Sequence, residues 1–201
     1  MQGNKKNVFE TYNKIADWYS ENHYKGLIQR VYVDEVIELA GTNAKILDLG
    51  CGTGVPIMEY LISNGLSTLG VDGSAAMLEI ARKNLPEAAF LQHDMRTLSL
   101  DDKFDAIIAW NSFFHLPSDD QLNMFTVFKN HLNINGVLLF TSGTEHGEAW
   151  GINGGENLYH ASLSSEEYHG QLDKHGFMVI RHVENDSACG GATVWMAQLI
   201  K

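Results

Sequence analysis

Apolar residues change their spacing repeatedly along this chain, from every third or fourth position to short continuous runs and back. Val8, Tyr12, Ile15 and Tyr19 recur at helical spacing, as do Ile28, Tyr32, Val36 and Leu39, and Gly41-Thr42-Asn43 ends the second series. "KILDL" (45–49) is a short apolar run holding one acid and predicts a first strand. Pro56 suits the first turn of the helix that follows, where its missing N–H costs nothing, and Asn64-Gly65 stops that helix. Residues 67–72 predict a second strand. Ser74 caps a helix ending near Leu85-Pro86, and 88–92 predicts a third strand. The near-continuous apolarity of 104–110 predicts a fourth strand covered on both faces. "SDDQ" (118–121) predicts a capping box, with Leu122, Phe125, Lys129 and Leu132 in register behind it. A fifth strand follows at 134–142. "SSEE" (164–167) opens a last helix that stops at Gly176, and 177–183 and 192–200 predict two closing strands paired antiparallel.

Strands alternating with helices imply an α/β fold: a mostly parallel sheet between two helical layers, a Rossmann-like three-layer sandwich. The chain reads as one domain over 1–201, with helices in 1–41 ahead of the first strand. Residues 143–163 show no clear period and are rich in Gly and polar groups, which predicts a long loop. It follows the fifth strand and so emerges at the carboxyl edge of the sheet, where ligands bind in open α/β folds.

Composition narrows the function classes. Net charge is −11 and basic residues never form a run, so long nucleic acid is not expected as a partner. No apolar run approaches the roughly 20 residues that span a bilayer, and the first 20 residues lack a continuous apolar core, so a cytoplasmic protein without a membrane partner is expected. Two cysteines, Cys51 and Cys189, do not make a disulfide framework. Glu145, His146 and Glu148 lie close together, but no HExxH pattern or paired-cysteine site accompanies them, and no metal is expected. The chain is read as a monomer or a homodimer.

The densest chemistry lies after the first strand, in Gly50-Cys51-Gly52-Thr53-Gly54. Glycines let backbone turn tightly and let a ligand approach without meeting a Cβ. The third glycine comes one residue too early for the G-x-G-x-x-G dinucleotide pattern, whose last slot holds Val55. Asp48 sits beside the loop, Asp72 ends the second strand and Asp94 ends the third. A carboxylate at the position of Asp72 can accept both hydroxyls of a ribose, and Asp94 can accept a hydrogen bond from an adenine amine.

On these residues the sequence resembles the class I S-adenosylmethionine-dependent methyltransferases of small-molecule type. "LDLGCGTG" resembles their first motif, "VDGSAAML" the second, "QHDM" the third, "FDAIIAWNSFFHL" the fourth, and "YNKIADWY" resembles the cap helix of many members. The resemblance implies a seven-stranded sheet of order 3-2-1-4-5-7-6 with strand 7 antiparallel, N-terminal cap helices over 1–41, and S-adenosyl-L-methionine as cofactor. It further implies that Asp48 holds the methionine amino group while Gly50, Cys51 and Gly52 line the cofactor through backbone. Asp72 takes the ribose hydroxyls, Gly73 and Met77 flank the adenine, and Asp94 and Met95 meet its edge and face. Trp110 and Asn111 sit beside the methionine part, and Tyr12 and Tyr19 close over the sulfonium.

Methyl transfer from a sulfonium is an in-line displacement onto a small-molecule acceptor, and a base is required only when the nucleophile carries a proton. His115 is the first candidate base, with His146, Tyr159 and His160 as further acceptor-side candidates and 143–163 as the acceptor-side loop. "NSFFHL" lacks the Pro-Pro pattern of amine-directed DNA methyltransferases, and no Pro-Cys dipeptide is present. A protein or RNA acceptor, a nicotinamide-dependent oxidoreductase and a non-catalytic cofactor-binding module remain open as alternatives.

Overall fold

The computed structural model describes residues 5–23 and 26–201. Two helices, α1 (Val8–Asn22) and α2 (Arg30–Ala40), precede the sheet. There follow β1 (Lys45–Leu49), α3 (Ile57–Ser63), β2 (Ser67–Asp72), α4 (Ala75–Asn84), β3 (Ala89–Gln92) and β4 (Phe104–Ala109). α5 (Ser118–His131) leads into β5 (Leu132–Ser142). A hairpin of β6 (Gly147–Asn153) and β7 (Glu156–Ser162) comes next, then α6 (Ser165–Lys174), β8 (Phe177–Asp186) and β9 (Ala192–Leu199).

The main sheet runs β3-β2-β1-β4-β5-β9-β8, which is 3-2-1-4-5-7-6 when only its own strands are counted. β9 is antiparallel to both its neighbours and the other pairings are parallel. The order reverses beside β1, so the loops after β1 and β4 diverge and leave a crevice at the carboxyl edge.

Alternation along the strands feeds two cores. Ile46 on β1 and Ala106 and Ile108 on β4, with Trp110 just beyond, face α2 and α3, packing with Val33, Val36, Ile57 and Leu61. Leu47, Leu49, Ile107 and Ala109 face the opposite layer of α5 and α6. That layer is dominated by aromatics: Phe113 lies 5.3 Å from Phe140 and 5.6 Å from Phe128, ring centre to ring centre. Full burial of such a ring contributes about 1.5–3 kcal/mol. Phe113 thereby anchors the short turn Phe113–His115 after β4 and fixes where its neighbours Ser112 and His115 point.

Two expectations need correction. The segment 143–163 is a β-hairpin through most of its length, with Trp150 paired to Tyr159 and Gly151 to Leu158. Asn153-Gly154-Gly155-Glu156 supplies its tight turn, with φ of +55° and +82° at the two glycines. The hairpin is also not free-standing. Leu158, Tyr159 and Ala161 pack with Val8 and Tyr12 of α1, Lys14 pairs with Glu156 at 3.0 Å, and Lys5 pairs with Glu148. It holds the first helix down from outside. The second correction concerns Ser118, which is the first helical residue of α5 and not its cap; Pro117 precedes it and gives no side-chain cap. Gln121 donates instead to the carbonyls of Leu116 (2.8 Å) and Ala161 (3.0 Å), tying the turn after β4 to β7. At α6, Ser164 and Glu167 do form the reciprocal capping box, and Ser74 caps α4 through the Met77 amide.

Candidate active site

One cavity lies at the carboxyl edge over β1, β2 and β4, roofed by α1 and by the connection between α1 and α2. Its floor is the glycine loop. Gly50 has φ +79°, and a Cβ there would stand 2.2 Å from Ser112 Cβ, so both backbone and space require glycine. Ser112 in turn donates to the Leu49 carbonyl at 2.6 Å, locking the loop after β4 against the loop after β1. Gly52 also has positive φ, but a Cβ there would meet nothing within 4 Å, which leaves the approach to its backbone open.

Two carboxyls share this floor. Asp72 accepts hydrogen bonds from the Gly52 amide (2.9 Å) and the Ser74 amide (2.8 Å). Burial raises its pKa and those two amides oppose the rise. Asp48 is only 3% exposed and, among the described residues, its carboxyl has no hydrogen-bond partner. Burial, and then the nearby Asp72 charge, push it up to about 7. A buried carboxyl that faces a cavity with no partner is costly in an empty site and is satisfied by an arriving ammonium. The donor set therefore fits the amino-acid end and sugar of an adenosyl sulfonium. Cys51 is buried and its thiol is pushed up by burial and the two carboxyls, so it stays protonated and acts through its backbone.

Asp94 and Met95 line the far end of the cavity with Gly73 and Met77. Asp94 is less free than its position at the end of β3 predicts. Arg96 grips both of its carboxylate oxygens, at 3.0 Å through Nε and 2.5 Å through Nη2, and also reaches Asp120 at 3.0 Å. Burial raises the Asp94 carboxyl, but the Arg96 hydrogen bonds outweigh it and hold the group below its ordinary range. Phe9 of α1, which no motif marked, packs on Gly73, where a Cβ would lie 2.9 Å from its ring.

The roof carries Tyr12, Tyr19 and His23. Tyr19 meets Tyr12 edge-on at 5.8 Å and stacks on His23 at 4.2 Å. His115 is buried and bonded at both nitrogens, Nδ1 to the Tyr159 carbonyl at 2.8 Å and Nε2 to the Tyr12 hydroxyl at 2.9 Å. A carbonyl only accepts, so Nδ1 carries the proton and Nε2 accepts from Tyr12. Burial lowers His115 to about 3, partly offset by the Tyr159 carbonyl, so it is neutral at ordinary pH. Burial raises the Tyr12 phenol.

All thirteen residues expected at the cofactor line this one cavity: Tyr12, Tyr19, Asp48, Gly50, Cys51, Gly52, Asp72, Gly73, Met77, Asp94, Met95, Trp110 and Asn111. His115 joins them. His146, Tyr159 and His160 do not. His146 is exposed and pairs with Glu167 at 2.8 Å. The Tyr159 side chain is buried under Trp150 and only its carbonyl reaches His115. His160 stands behind His115, ring centres 4.7 Å apart.

Residues 46–136 match the family model described as a methyltransferase domain, a span that contains the glycine loop, all three acids and the turn of His115. Together with the glycine loop and the acids at the strand ends, this match supports a class I S-adenosylmethionine-dependent methyltransferase. It is 30% identical over 126 residues to a ubiquinone biosynthesis O-methyltransferase of Pasteurella multocida, covering 55% of this chain and 51% of that protein. It is 35% identical over 98 residues to a dTDP-3-amino-3,4,6-trideoxy-alpha-D-glucopyranose N,N-dimethyltransferase of Streptomyces venezuelae, covering 48% and 41%. The chain thus spans about half the length of the curated relatives it matches. Among solved structures, the CcbJ methyltransferase of Streptomyces caelestis superposes with a TM-score of 0.79 at 16% identity over 99% of this chain and all of that one. An amino pentose methyltransferase, CalS10 of Micromonospora echinaspora, superposes with a TM-score of 0.72 at 18% identity over 92% and 95%. The first of these superpositions spans the N-terminal helices and the hairpin, which lie outside the matched family model.

Proposed function

We propose that the chain transfers the methyl group of S-adenosylmethionine to a small-molecule acceptor bearing a hydroxyl or an amine. The observation that carries this reading is the roofed cavity in which an unpartnered, buried Asp48 carboxyl faces Asp72, the glycine loop and the Tyr12–His115 pair. When bound, the cofactor supplies an electrophilic methyl on a sulfonium whose positive charge is lost on transfer. Asp48 holds the ammonium, Asp72 the ribose hydroxyls, and Gly73, Met77 and Met95 enclose the adenine. Asp94, held by Arg96, offers the adenine edge its remaining lone pairs. The α1 roof and the hairpin behind it exclude water and favour a compact acceptor over a chain. The O- and N-methyltransferases among the relatives support both acceptor types.

The Tyr12–His115 pair gives an acceptor proton a route. A proton leaving the nucleophile passes to the Tyr12 oxygen while the Tyr12 proton moves to His115 Nε2. The imidazolium so formed replaces the sulfonium charge, and the net charge of the site is conserved. The carbonyl of Tyr159 steadies that imidazolium through Nδ1–H. His115 is thus a base that acts through Tyr12.

The test is release of S-adenosylhomocysteine from methyl-labelled cofactor against a panel of small hydroxy and amino compounds. Acceptor-dependent turnover is expected, falling by about a hundredfold in His115→Ala with cofactor affinity little changed. Tight cofactor binding with no turnover on any acceptor would favour a cofactor-sensing module, and equal turnover in His115→Ala would remove the proton route.

A further inference from the structure

Gln29 belongs to no motif, yet it is 4% exposed, lines the cavity and, among the described residues, has no hydrogen-bond partner for its side-chain amide. Its amide opens onto the cavity, where a ligand group can partner it. Its backbone is already engaged: it precedes the first residue of α2, and its carbonyl accepts from the Tyr32 amide at 3.0 Å. α2 has 11 residues, and although its Arg30, Tyr32 and Val33 amides are already bonded to the Leu27 and Gln29 carbonyls, the dipole of its amino end favours negative charge beside Gln29.

Topology says which end of the ligand lies beneath. Asp48 is on the same face of β1 as Ile46, the face covered by α2. Asp48 pairs with Ile108 of β4, and Trp110, two residues on and on that same face, lies 6.0 Å from the ring of Tyr32. Gln29 is one turn before Tyr32. The amino end of α2 therefore overhangs Asp48 and Trp110, on the opposite side of the cavity from Gly73. Among the described residues, the lysine and arginine side chains lining the cavity are Lys6 and Arg96. Arg96 is committed to Asp94 and Asp120, and Lys6 leads into Phe9 at the Gly73 end.

We propose that the side-chain amide of Gln29, at the amino end of α2, binds the α-carboxylate at the amino-acid end of the cofactor. The inference rests on the reading of the cavity as a cofactor site. Asp48 takes the ammonium and the Gln29 amide donates to the carboxylate on the same α-carbon. A neutral donor suits this position, because a cation beside Asp48 would compete with the ligand ammonium.

Two ligands separate the ends: S-adenosylhomocysteine, and 5′-methylthioadenosine, which keeps the nucleoside and lacks the amino acid. Gln29→Met is expected to weaken S-adenosylhomocysteine by about tenfold or more and leave methylthioadenosine within about twofold, and Gln29→Glu to weaken the former further. Retained methylthioadenosine binding reports an intact fold. In the unmodified protein, the Gln29 side-chain amide resonances are expected to move with S-adenosylhomocysteine and stay in place with methylthioadenosine, a readout that needs no variant to fold for its comparison. Equal effects on both ligands, no effect on either, or an unmoved amide would overturn the assignment. A parent protein that binds neither ligand would instead sink the cofactor reading itself.

Discussion

Asp48→Asn is expected to remove most of the affinity for S-adenosylhomocysteine while raising the melting temperature of the ligand-free protein at pH 8. Both effects follow from one side chain. Asp48 is buried, unpartnered and held near pKa 7, against an ordinary value of 3.8. Between those values the folded, empty protein binds a proton that the unfolded chain does not, so this group's contribution to stability falls as pH rises from about 4 to 7. At pH 8 the full penalty is present, up to about 4 kcal/mol from the shift, and Asn escapes it. At pH 4 the two proteins converge. Binding has the complementary dependence: the ammonium needs the carboxylate, so affinity weakens by up to about tenfold per unit below pH 7 in the parent and loses that slope in the variant. Titration calorimetry in two buffers of different ionisation heat would register the proton released on binding. Melting curves of parent and variant that coincide at pH 8 would contradict the account.

Asp72→Ala is the second large effect. It removes the proposed acceptor for the sugar hydroxyls and strands the Gly52 and Ser74 amides that the carboxylate now holds. A weakening of about 1–3 kcal/mol is expected for each charged hydrogen bond lost, and a lower melting temperature with it. Methylthioadenosine retains the ribose, so its affinity should fall in parallel with that of S-adenosylhomocysteine, unlike the pattern expected for Gln29. Unchanged affinity for both would take the sugar away from Asp72.

The strand–helix alternation was legible because β1, β2 and β4 are short apolar runs bounded by Gly, Pro and Asp, and each acid at a strand end necessarily falls at the carboxyl edge. The hairpin was less legible. β6 is exposed on both faces along Gly147–Trp150, so its pattern lacks a buried stripe, although Asn153-Gly154-Gly155 is a recognisable turn signal. Ser118-x-x-Gln121 and Ser164-x-x-Glu167 share a local pattern and only the second becomes a capping box. Gln121 is drawn away by two carbonyls from distant segments, a tertiary effect that no window of sequence contains.

The site divides the same way. Position along the chain placed His115 at the crevice, but its tautomer is set by a carbonyl 44 residues later in the sequence. Arg96 follows Asp94 by two residues and belongs to no motif; that it closes on both carboxylate oxygens is shown only by the fold. Gln29 looked like any polar residue ahead of a helix. Only the packing of α2 over β1 and β4 shows it to be a buried residue whose amide opens onto the cavity.

The central claim is that this crevice is shaped for an adenosyl sulfonium and its demethylated product. Calorimetric titration of the full chain with S-adenosylhomocysteine at pH 8 tests it most directly. The account predicts saturable binding of one molecule per chain, largely lost in Asp48→Asn; absence of saturation at millimolar ligand with a folded protein would contradict it.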